Sequence, residues 1–242
     1  MFLKEKTDAL ILVREDLGES DRLLTLLTDR FGKIKATARG ERKLLSKLRA
    51  GLNLFNWSEI ELISGRGYPI ITSAKIQSPF INIGQDWKKF SVAQKMMKEI
   101  DSLMPWQMPD ENVWLLSLGA LHALNQMNRH YQRLYYYFLW TLLSSLGYQI
   151  DLNCCARCRK KLAGNCLIAP DGIICAKCGC QEDHQEEISL NTIKILRLIA
   201  QKNKYLLGRI KTNENDQDNL GKITNFFLES VKRKQSPEKI IL

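Results

Sequence analysis

The chain has 242 residues, of which 45% are hydrophobic and 26% are charged, and its formal net charge is +10. The apolar share excludes a globally disordered chain, because it is large enough to form buried cores. The surplus of cations favours a polyanionic partner, with nucleic acid first and an anionic membrane surface second. A basic protein without any nucleic-acid role is the alternative.

The sequence has no segment typical of export or membrane insertion. The apolar run from Ala9 to Val13 is short and has charged residues on both sides, unlike a signal peptide or a membrane span. The longer apolar stretch from Tyr135 to Leu146 is interrupted by three hydroxyl side chains and predicts a buried helix. We therefore expect a cytoplasmic protein without membrane contact, in a compartment where disulfides are rare.

The first eighty residues predict a small β domain. Five short apolar runs have strand length, at residues 7–14, 20–28, 33–38, 58–63 and 68–76. In the third run Ile34, Ala36 and Ala38 alternate with polar residues, as in a strand with one buried face. Gly65-Arg66-Gly67 predicts a hairpin turn between the last two strands. A five-stranded oligonucleotide-binding (OB) barrel fits this number of strands and this length, and we expect it to span residues 1–80.

The pattern changes to helices after residue 80. Three-to-four spacing of apolar residues predicts helices over 87–103, 112–127 and 129–146, and Ser189 predicts the N-cap of a further helix to about residue 207. A polar loop over 213–219 and a last helix over 220–231 complete the chain. The fold class is therefore α+β, with a helical domain over 81–242 that contains a cysteine-rich hairpin at 151–182.

All seven cysteines lie between Cys154 and Cys180. They include two C-x2-C pairs, Cys155 with Cys158 and Cys175 with Cys178, separated by sixteen residues. Such spacing is typical of a zinc ribbon, in which two tight turns hold one tetrahedral Zn²⁺. Four sulfur ligands leave no position open for water, so the ion would be structural. Cys154, Cys180 or His184 replacing one ligand is the alternative.

A basic arm, residues 30–49, contains eight basic residues and one acid, Glu41. Flexible cations beside a barrel face can follow a sugar-phosphate backbone without reading bases. This pattern predicts DNA contacts by Lys33, Lys35, Arg39, Arg42, Lys43, Lys47 and Arg49. A solvated charged loop is the alternative. Four nearby aromatic residues are equally suited to base stacking and to the core: Phe31, Phe55, Trp57 and Tyr68.

The sequence contains no motif of a common catalytic site. It has no phosphate-binding G-x4-G-K-[ST] loop, no H-E-x-x-H, no G-x-S-x-G and no dinucleotide fingerprint. Its three histidines are far apart, and its acidic residues form no compact set that indicates a two-metal nuclease. We therefore expect a protein that is not an enzyme.

Several stretches resemble the RecO family of DNA repair proteins. In the barrel region they are Gly18 to Thr25, Gly32 to Ile34, Ala38 to Lys43, and Ser46 to Leu48. Leu146 to Leu152, the paired cysteines and Gly172 resemble the zinc-bearing region of the family. Arg159 differs from the family pattern, in which Gly commonly follows the first cysteine pair.

The resemblance implies a bacterial recombination mediator associated with the nucleoid. Such a protein binds single- and double-stranded DNA, anneals complementary strands and helps to load recombinase onto strands coated by single-strand-binding protein. The implied partners are RecR, possibly RecF, and the acidic C-terminal tail of single-strand-binding protein, for which Arg129 and Arg133 are candidate contacts. A zinc-ribbon scaffold that binds only proteins and an RNA-binding barrel protein are the alternatives.

Overall fold

The computed structural model describes residues 4–65, 67–179, 186–201 and 214–235. The chain divides into two compact units, Met1–Phe138 and Leu139–Leu242. The first contains a closed β-barrel followed by helices, and the second contains the cysteine-rich hairpin and the last two helices. The mixed α+β class predicted from the sequence is confirmed.

The barrel is built from the five predicted strands: β1 (Lys4–Leu17), β2 (Asp21–Thr28), β3 (Gly32–Ala38), β4 (Trp57–Ile63) and β5 (Ile70–Ser78). The strand order is β1-β2-β3-β5-β4, and pairing of β1 with β4 closes the sheet. All pairs are antiparallel except β3 with β5. This is the five-stranded OB barrel, in which β3 and β5 meet through a single residue pair, Thr37 with Ile70.

The alternation in the third strand correctly identified the inner face. Ile34, Ala36 and Ala38 are buried, and they pack with Ile11 of β1 and Leu24 of β2. The antiparallel pairing of β4 and β5 also agrees with the predicted hairpin, although Arg66 of its turn lies outside the described residues.

Strand β1 is longer than the predicted run of residues 7–14. Its first half pairs with β4 and its second half with β2, and the register shifts between Ile11 and Val13. A bulge of this kind bends a strand, so that one strand can serve both neighbours in a small barrel. The ends of β1 are charged and mostly exposed, so hydrophobicity did not mark them as strand.

Four helices follow the barrel: α1 (Ile81–Gln85), α2 (Trp87–Leu103), α3 (Glu111–Gln126) and α4 (Tyr131–Ser145). Asp86 and Asp110 cap α2 and α3, and their carboxylates accept hydrogen bonds from backbone N–H groups of the first turn. The three predicted helices of this region are confirmed. Helix α1 was missed because five residues are too few to show a helical period.

The segment between α2 and α3 lies against β3. The Gln107 backbone N–H donates to the Lys33 carbonyl oxygen over 2.9 Å. Gly32 has a φ of 66°, and a Cβ at this position would be 2.3 Å from the Met108 carbonyl oxygen. The close approach therefore requires glycine.

In the described residues after α4, the second unit contains a small three-stranded sheet and three helices. Its elements are β6 (Cys166–Ala169), β7 (Gly172–Cys175), α5 (Ala176–Gly179), β8 (Glu187–Ile188), α6 (Leu190–Ala200) and α7 (Glu214–Gln235). The Ser189 hydroxyl accepts from the Thr192 backbone N–H over 3.1 Å, which confirms the predicted N-cap. The helix ends at Ala200 with Gln201 as its C-cap, and the rest of the segment predicted to residue 207 lies outside the described residues.

The predicted polar loop over 213–219 is wrong, because α7 begins at Glu214. Its first turns are polar for a structural reason. The buried Asp216 carboxylate accepts from Asn191 over 2.7 Å and from Ser189 over 3.3 Å, at the start of α6. Polar residues that bind one another inside a protein look like a loop when only hydrophobicity is considered.

No helix within the described ranges is both long and apolar enough to span a lipid bilayer.

Candidate nucleic-acid interface and metal centre

Residues 32–38 of the basic arm form β3, and the part that leaves the barrel, residues 39–49, begins with a buried ion pair. The Glu41 side chain is only 1% exposed, and both of its carboxylate oxygens accept from guanidinium groups. Arg14 of β1 donates to Oε1 and Arg22 of β2 donates to Oε2, each over 2.7 Å. The one acid of the arm therefore neutralises two barrel cations and none of the arm's own.

Further contacts hold the start of the arm on the barrel. The Asp21 carboxylate accepts from the Gly40 backbone N–H over 2.7 Å, which lowers the pKa of Asp21. The Arg42 backbone N–H donates to the Ser20 carbonyl oxygen over 3.0 Å. Gly40 and Arg42 are therefore fixed to Asp21 at the start of β2 and to the turn before it.

Apolar side chains hold the far end of the arm and the segment after it. Leu52 is completely buried in the barrel core, and Leu48 packs against the same core. Phe55 is 4% exposed and packs edge-on against Phe90 of α2, with ring centroids 5.2 Å apart. The arm is thus anchored at both ends, and the residues between are mostly exposed.

Lys33 does not occupy the exposed position that its alternation in β3 suggested. Its side chain is 4% exposed, and its ammonium group donates to the Asp101 carbonyl oxygen and lies 3.6 Å from the Asp101 carboxylate. The Trp106 ring covers it, with 4.3 Å between the nitrogen and the ring centroid. Burial lowers the pKa of Lys33, with Asp101 opposing the shift. Lys33 therefore helps to hold the segment 104–108 on the barrel.

Two other predicted contacts are partly neutralised by acids of β1. The ammonium group of Lys35 lies 3.9 Å from the Glu15 carboxylate. The Arg42 guanidinium lies 3.4 Å from the Asp16 carboxylate and donates to the Gly18 carbonyl oxygen over 2.9 Å. Both side chains remain about one-third exposed, so a phosphate can still compete for them.

Four cations of the arm are exposed and make no ion pair in the part of the chain that the structure describes: Arg39, Lys43, Lys47 and Arg49. They lie on both sides of two leucines that the sequence analysis did not single out. Leu44 is 85% exposed and Leu45 is 93% exposed. Hydrophobicity alone would have assigned these leucines to the core.

The nearby aromatic residues divide between core and surface. Phe55 belongs to the core, Phe31 and Trp57 are half-buried, and Tyr68 is 50% exposed. In α4, Tyr135, Phe138 and Trp140 are buried as predicted. Trp140 stacks on Phe227, and its indole N–H donates to the Thr224 hydroxyl over 3.0 Å.

The cysteine-rich hairpin brings together the four predicted ligands. The Sγ atoms of Cys155, Cys158, Cys175 and Cys178 lie within 4.8 Å of one another, and all four thiols are free. The backbone joins the two pairs, because the Ala156 N–H donates to the Ile173 carbonyl oxygen over 2.9 Å. Four thiols this close can hold a metal ion.

Backbone N–H dipoles in this cluster favour a thiolate, which is the form of cysteine that binds a metal cation. Burial alone raises the pKa of the Cys155 thiol, but the N–H groups of Cys158, Cys175 and Arg157 outweigh burial and lower its pKa to about 6. The Cys175 N–H lies 3.4 Å from Cys155 Sγ. Hydrogen bonds to Cys158 and Cys175 raise the pKa of Cys178 to about 12. The backbone of the hairpin therefore favours a thiolate at Cys155.

Two of the surplus cysteines, Cys154 and Cys166, are not part of this group. Cys166 is completely buried in β6, and burial raises the pKa of its thiol. Cys154 pairs with Lys161 through its backbone. Cys180 and His184, two of the alternative ligands, lie outside the described residues.

Arg159 has a φ of 59°, in the left-handed region. Glycine adopts this conformation without strain, so the glycine that the resemblance implied at this position would fit the backbone better than arginine. Gly172, the first residue of β7 after its turn, has a φ of 131°.

Comparisons with known proteins agree with this architecture. The family model "Recombination protein O N terminal" matches residues 1–80, and "Recombination protein O C terminal" matches residues 84–235. The chain belongs to the RecO family. Members of this family take part in DNA repair and recombination.

Curated relatives cover most of the chain. DNA repair protein RecO from Dehalococcoides mccartyi is 31% identical over 211 residues, which are 86% of this chain and 83% of that protein. The protein of the same name from Acetivibrio thermocellus is 26% identical, over 92% of this chain and 90% of its own. The RecO of Syntrophomonas wolfei is 28% identical, over 95% of this chain and 89% of its own.

The role of Glu41 can be tested by removing its charge alone. We expect Glu41→Gln to destabilise the protein by about 3 kcal/mol, because two largely buried guanidinium groups lose their counter-charge. The arm should also become more accessible to trypsin at Lys43. Urea unfolding and limited proteolysis measure the two effects.

Glu59→Gln is the matched control, since Glu59 makes an exposed ion pair with Lys6 over 3.7 Å. Exposed pairs contribute little to stability, so this variant should unfold like the wild type. Equal stability of both variants would show that the buried pair does not anchor the arm.

Proposed function

We propose that this protein is a non-catalytic DNA-binding recombination mediator that anneals complementary single strands. The observation that carries the proposal is the charge of the basic arm. Its single acid is buried against Arg14 and Arg22, while Arg39, Lys43, Lys47 and Arg49 face solvent without an ion pair among the described residues. Lys35 and Arg42 supply further contacts when a phosphate replaces their carboxylate partners. Lys33 is not part of this surface.

Annealing needs no covalent chemistry from the protein. Two strands repel each other through their phosphates, and cations that hold both backbones cancel that repulsion. Phosphate contacts carry no sequence information, so base pairing between the strands supplies the specificity. An anchored arm with exposed cations suits this task, because it can bind any sequence and release it as the duplex forms.

The four cysteines suit zinc. A Zn–S distance of about 2.3 Å gives a tetrahedron with sulfur–sulfur edges of about 3.8 Å, and Cys158 Sγ lies 3.8 Å from Cys175 Sγ. A sulfur-only set is typical of structural zinc and leaves no position for water. We propose one structural Zn²⁺ held by Cys155, Cys158, Cys175 and Cys178, which joins the two turns of the hairpin.

The proposal extends to domains and partners. We assign DNA binding to a barrel domain of residues 1–80, and partner binding to residues 81–242 with the zinc hairpin at 151–182. RecR and possibly RecF are the proposed partners in loading recombinase in the bacterial cytoplasm. The acidic tail of single-strand-binding protein would contact cations near Arg129 and Arg133, whose charges lower the pKa of His130. Titration of a fluorescent tail peptide tests this contact, and an unchanged signal excludes it.

We expect the purified protein to contain one zinc per chain under reducing conditions. Cys158→Ser should lose most of the metal, because three thiolates and one hydroxyl form a much poorer zinc site. Cys154→Ser is the matched control and should keep it, since Cys154 is outside the cluster. Metal analysis of both variants decides the ligand set. Full zinc in the Cys158→Ser protein would contradict the proposed set.

DNA binding should depend on salt through the exposed cations. Each single-strand phosphate that is neutralised contributes about 0.7 to the slope of log affinity against log salt. Replacing Lys43 and Lys47 by alanine should therefore flatten the slope by about 1.4, equally for all sequences. Fluorescence anisotropy at several salt concentrations measures the slope.

Lys4 and Lys6 provide the matched control for this experiment. Both are exposed lysines of β1 that pair with Glu61 and Glu59, so their double alanine variant should keep the wild-type slope. An identical slope in the wild type and both variants would mean that Lys43 and Lys47 do not contact DNA. The protein would then be better explained as a scaffold that binds other proteins. A preference for RNA in competition would favour the RNA-binding alternative.

A further inference from the structure

The tip of the basic arm presents two leucines to solvent. Leu44 and Leu45 are more exposed than any other large hydrophobic residue in the described ranges, at 85% and 93%. Lys43 precedes the pair and Lys47 follows it, and both lysines are exposed. Single exposed leucines scattered over a surface are normal. Two adjacent leucines at the tip of a loop form a small apolar surface, which requires an explanation.

The leucines are held outward by their surroundings. The Lys43 backbone N–H donates to the Gly40 carbonyl oxygen over 3.2 Å, and the Ser46 N–H donates to the Lys43 carbonyl oxygen over 3.0 Å. The first turn contains Glu41 of the buried ion pair, and the second is followed by Leu48, which packs on the barrel core. The chain is therefore fixed at Glu41 and at Leu48, and the side chains of Leu44 and Leu45 between them do not reach the barrel core.

The surrounding charge indicates the partner. Cations on both sides of an apolar tip suit a molecule that is anionic along its length and apolar between its charges. Single-stranded nucleic acid has this character, because its unstacked bases expose flat apolar faces beside the phosphates. Apolar side chains are known to insert between base steps and to hold them open at the cost of stacking. Leucine reads no base edge, so such a contact tolerates every sequence.

We propose that Leu44 and Leu45 form a wedge that packs against unstacked bases while Lys43 and Lys47 hold the flanking phosphates. This inference rests on the proposed DNA binding by the same arm and adds a base contact to it. The wedge would favour single strands and the ends of a growing duplex over a continuous duplex, whose stacked bases leave no place for it. It would keep bases separated until a complementary strand pairs with them.

The test uses Leu44→Ala/Leu45→Ala in the full-length protein and two ligands with equal numbers of phosphates. One is an oligonucleotide of thymidines and the other is an abasic chain of the same length. The wild type should bind the abasic chain about tenfold more weakly, as expected when two leucines lose their apolar partner. The variant should bind both chains with similar affinity, at an unchanged salt slope.

A second readout detects the bases themselves. A 2-aminopurine placed at a single-strand–duplex junction should brighten when the wild type separates it from its neighbour, and it should brighten less with the variant. Leu115→Ala is the matched control, because Leu115 is a leucine of α3 that is 57% exposed and distant in sequence from the arm. It should behave like the wild type in both assays.

The outcomes separate the wedge from the proposed function. If the double leucine variant still discriminates against the abasic chain and brightens 2-aminopurine fully, the wedge is wrong while DNA binding by the cations stands. If the wild type shows no salt-dependent DNA binding, the proposed function fails and the wedge fails with it. If the variant instead loses binding to vesicles of anionic phospholipid and keeps DNA binding unchanged, the leucines contact a membrane and the inference is overturned.

Discussion

The carboxylate of Glu41 lies between two guanidinium groups, and the arrangement of the basic arm depends on it. Arg14 and Arg22 come from neighbouring strands, so the ion pair joins β1, β2 and the start of the arm at one point. Charge-assisted hydrogen bonds of this kind are strong and directional. A buried ion pair gains little net stability over an apolar contact, but breaking it leaves uncompensated charge. Its contribution here is to specify where the arm leaves the barrel.

The same ion pair sets the charge of the surface. Because Glu41 is buried against Arg14 and Arg22, the one carboxylate of the arm itself does not neutralise the arm's cations. Asp16 and Glu15 partly neutralise Arg42 and Lys35 near the barrel, while the cations farther along the arm stay unpaired within the described ranges. The positive charge is therefore concentrated on the exposed part of the arm. A polyanion approaching the barrel would contact these exposed cations before Lys35 and Arg42, which Glu15 and Asp16 partly neutralise.

The sequence predicted those features that depend on local patterns. Alternation identified the inner face of β3, three-to-four spacing gave the bounds of α2, and the spacing of the cysteines predicted a cluster. The burial of Lys33 could not be predicted, because it depends on Trp106 and Asp101, which are some seventy residues away in sequence and are brought close by Gly32. The start of α7 was missed for a similar reason, since Asp216 is buried and accepts a hydrogen bond from Asn191. In both cases a polar residue is buried because it binds a partner that is distant in sequence, although its polarity alone predicts exposure.

The central claim is that an anchored cationic arm brings complementary strands together without catalysis. The most direct test is the annealing rate of two fluorescently labelled complementary strands at low salt. We expect the wild type and the Lys4→Ala/Lys6→Ala protein to accelerate annealing equally, and annealing with Lys43→Ala/Lys47→Ala to be much slower at the same protein concentration. Equal acceleration by all three proteins, after circular dichroism shows that each is folded, would contradict this claim.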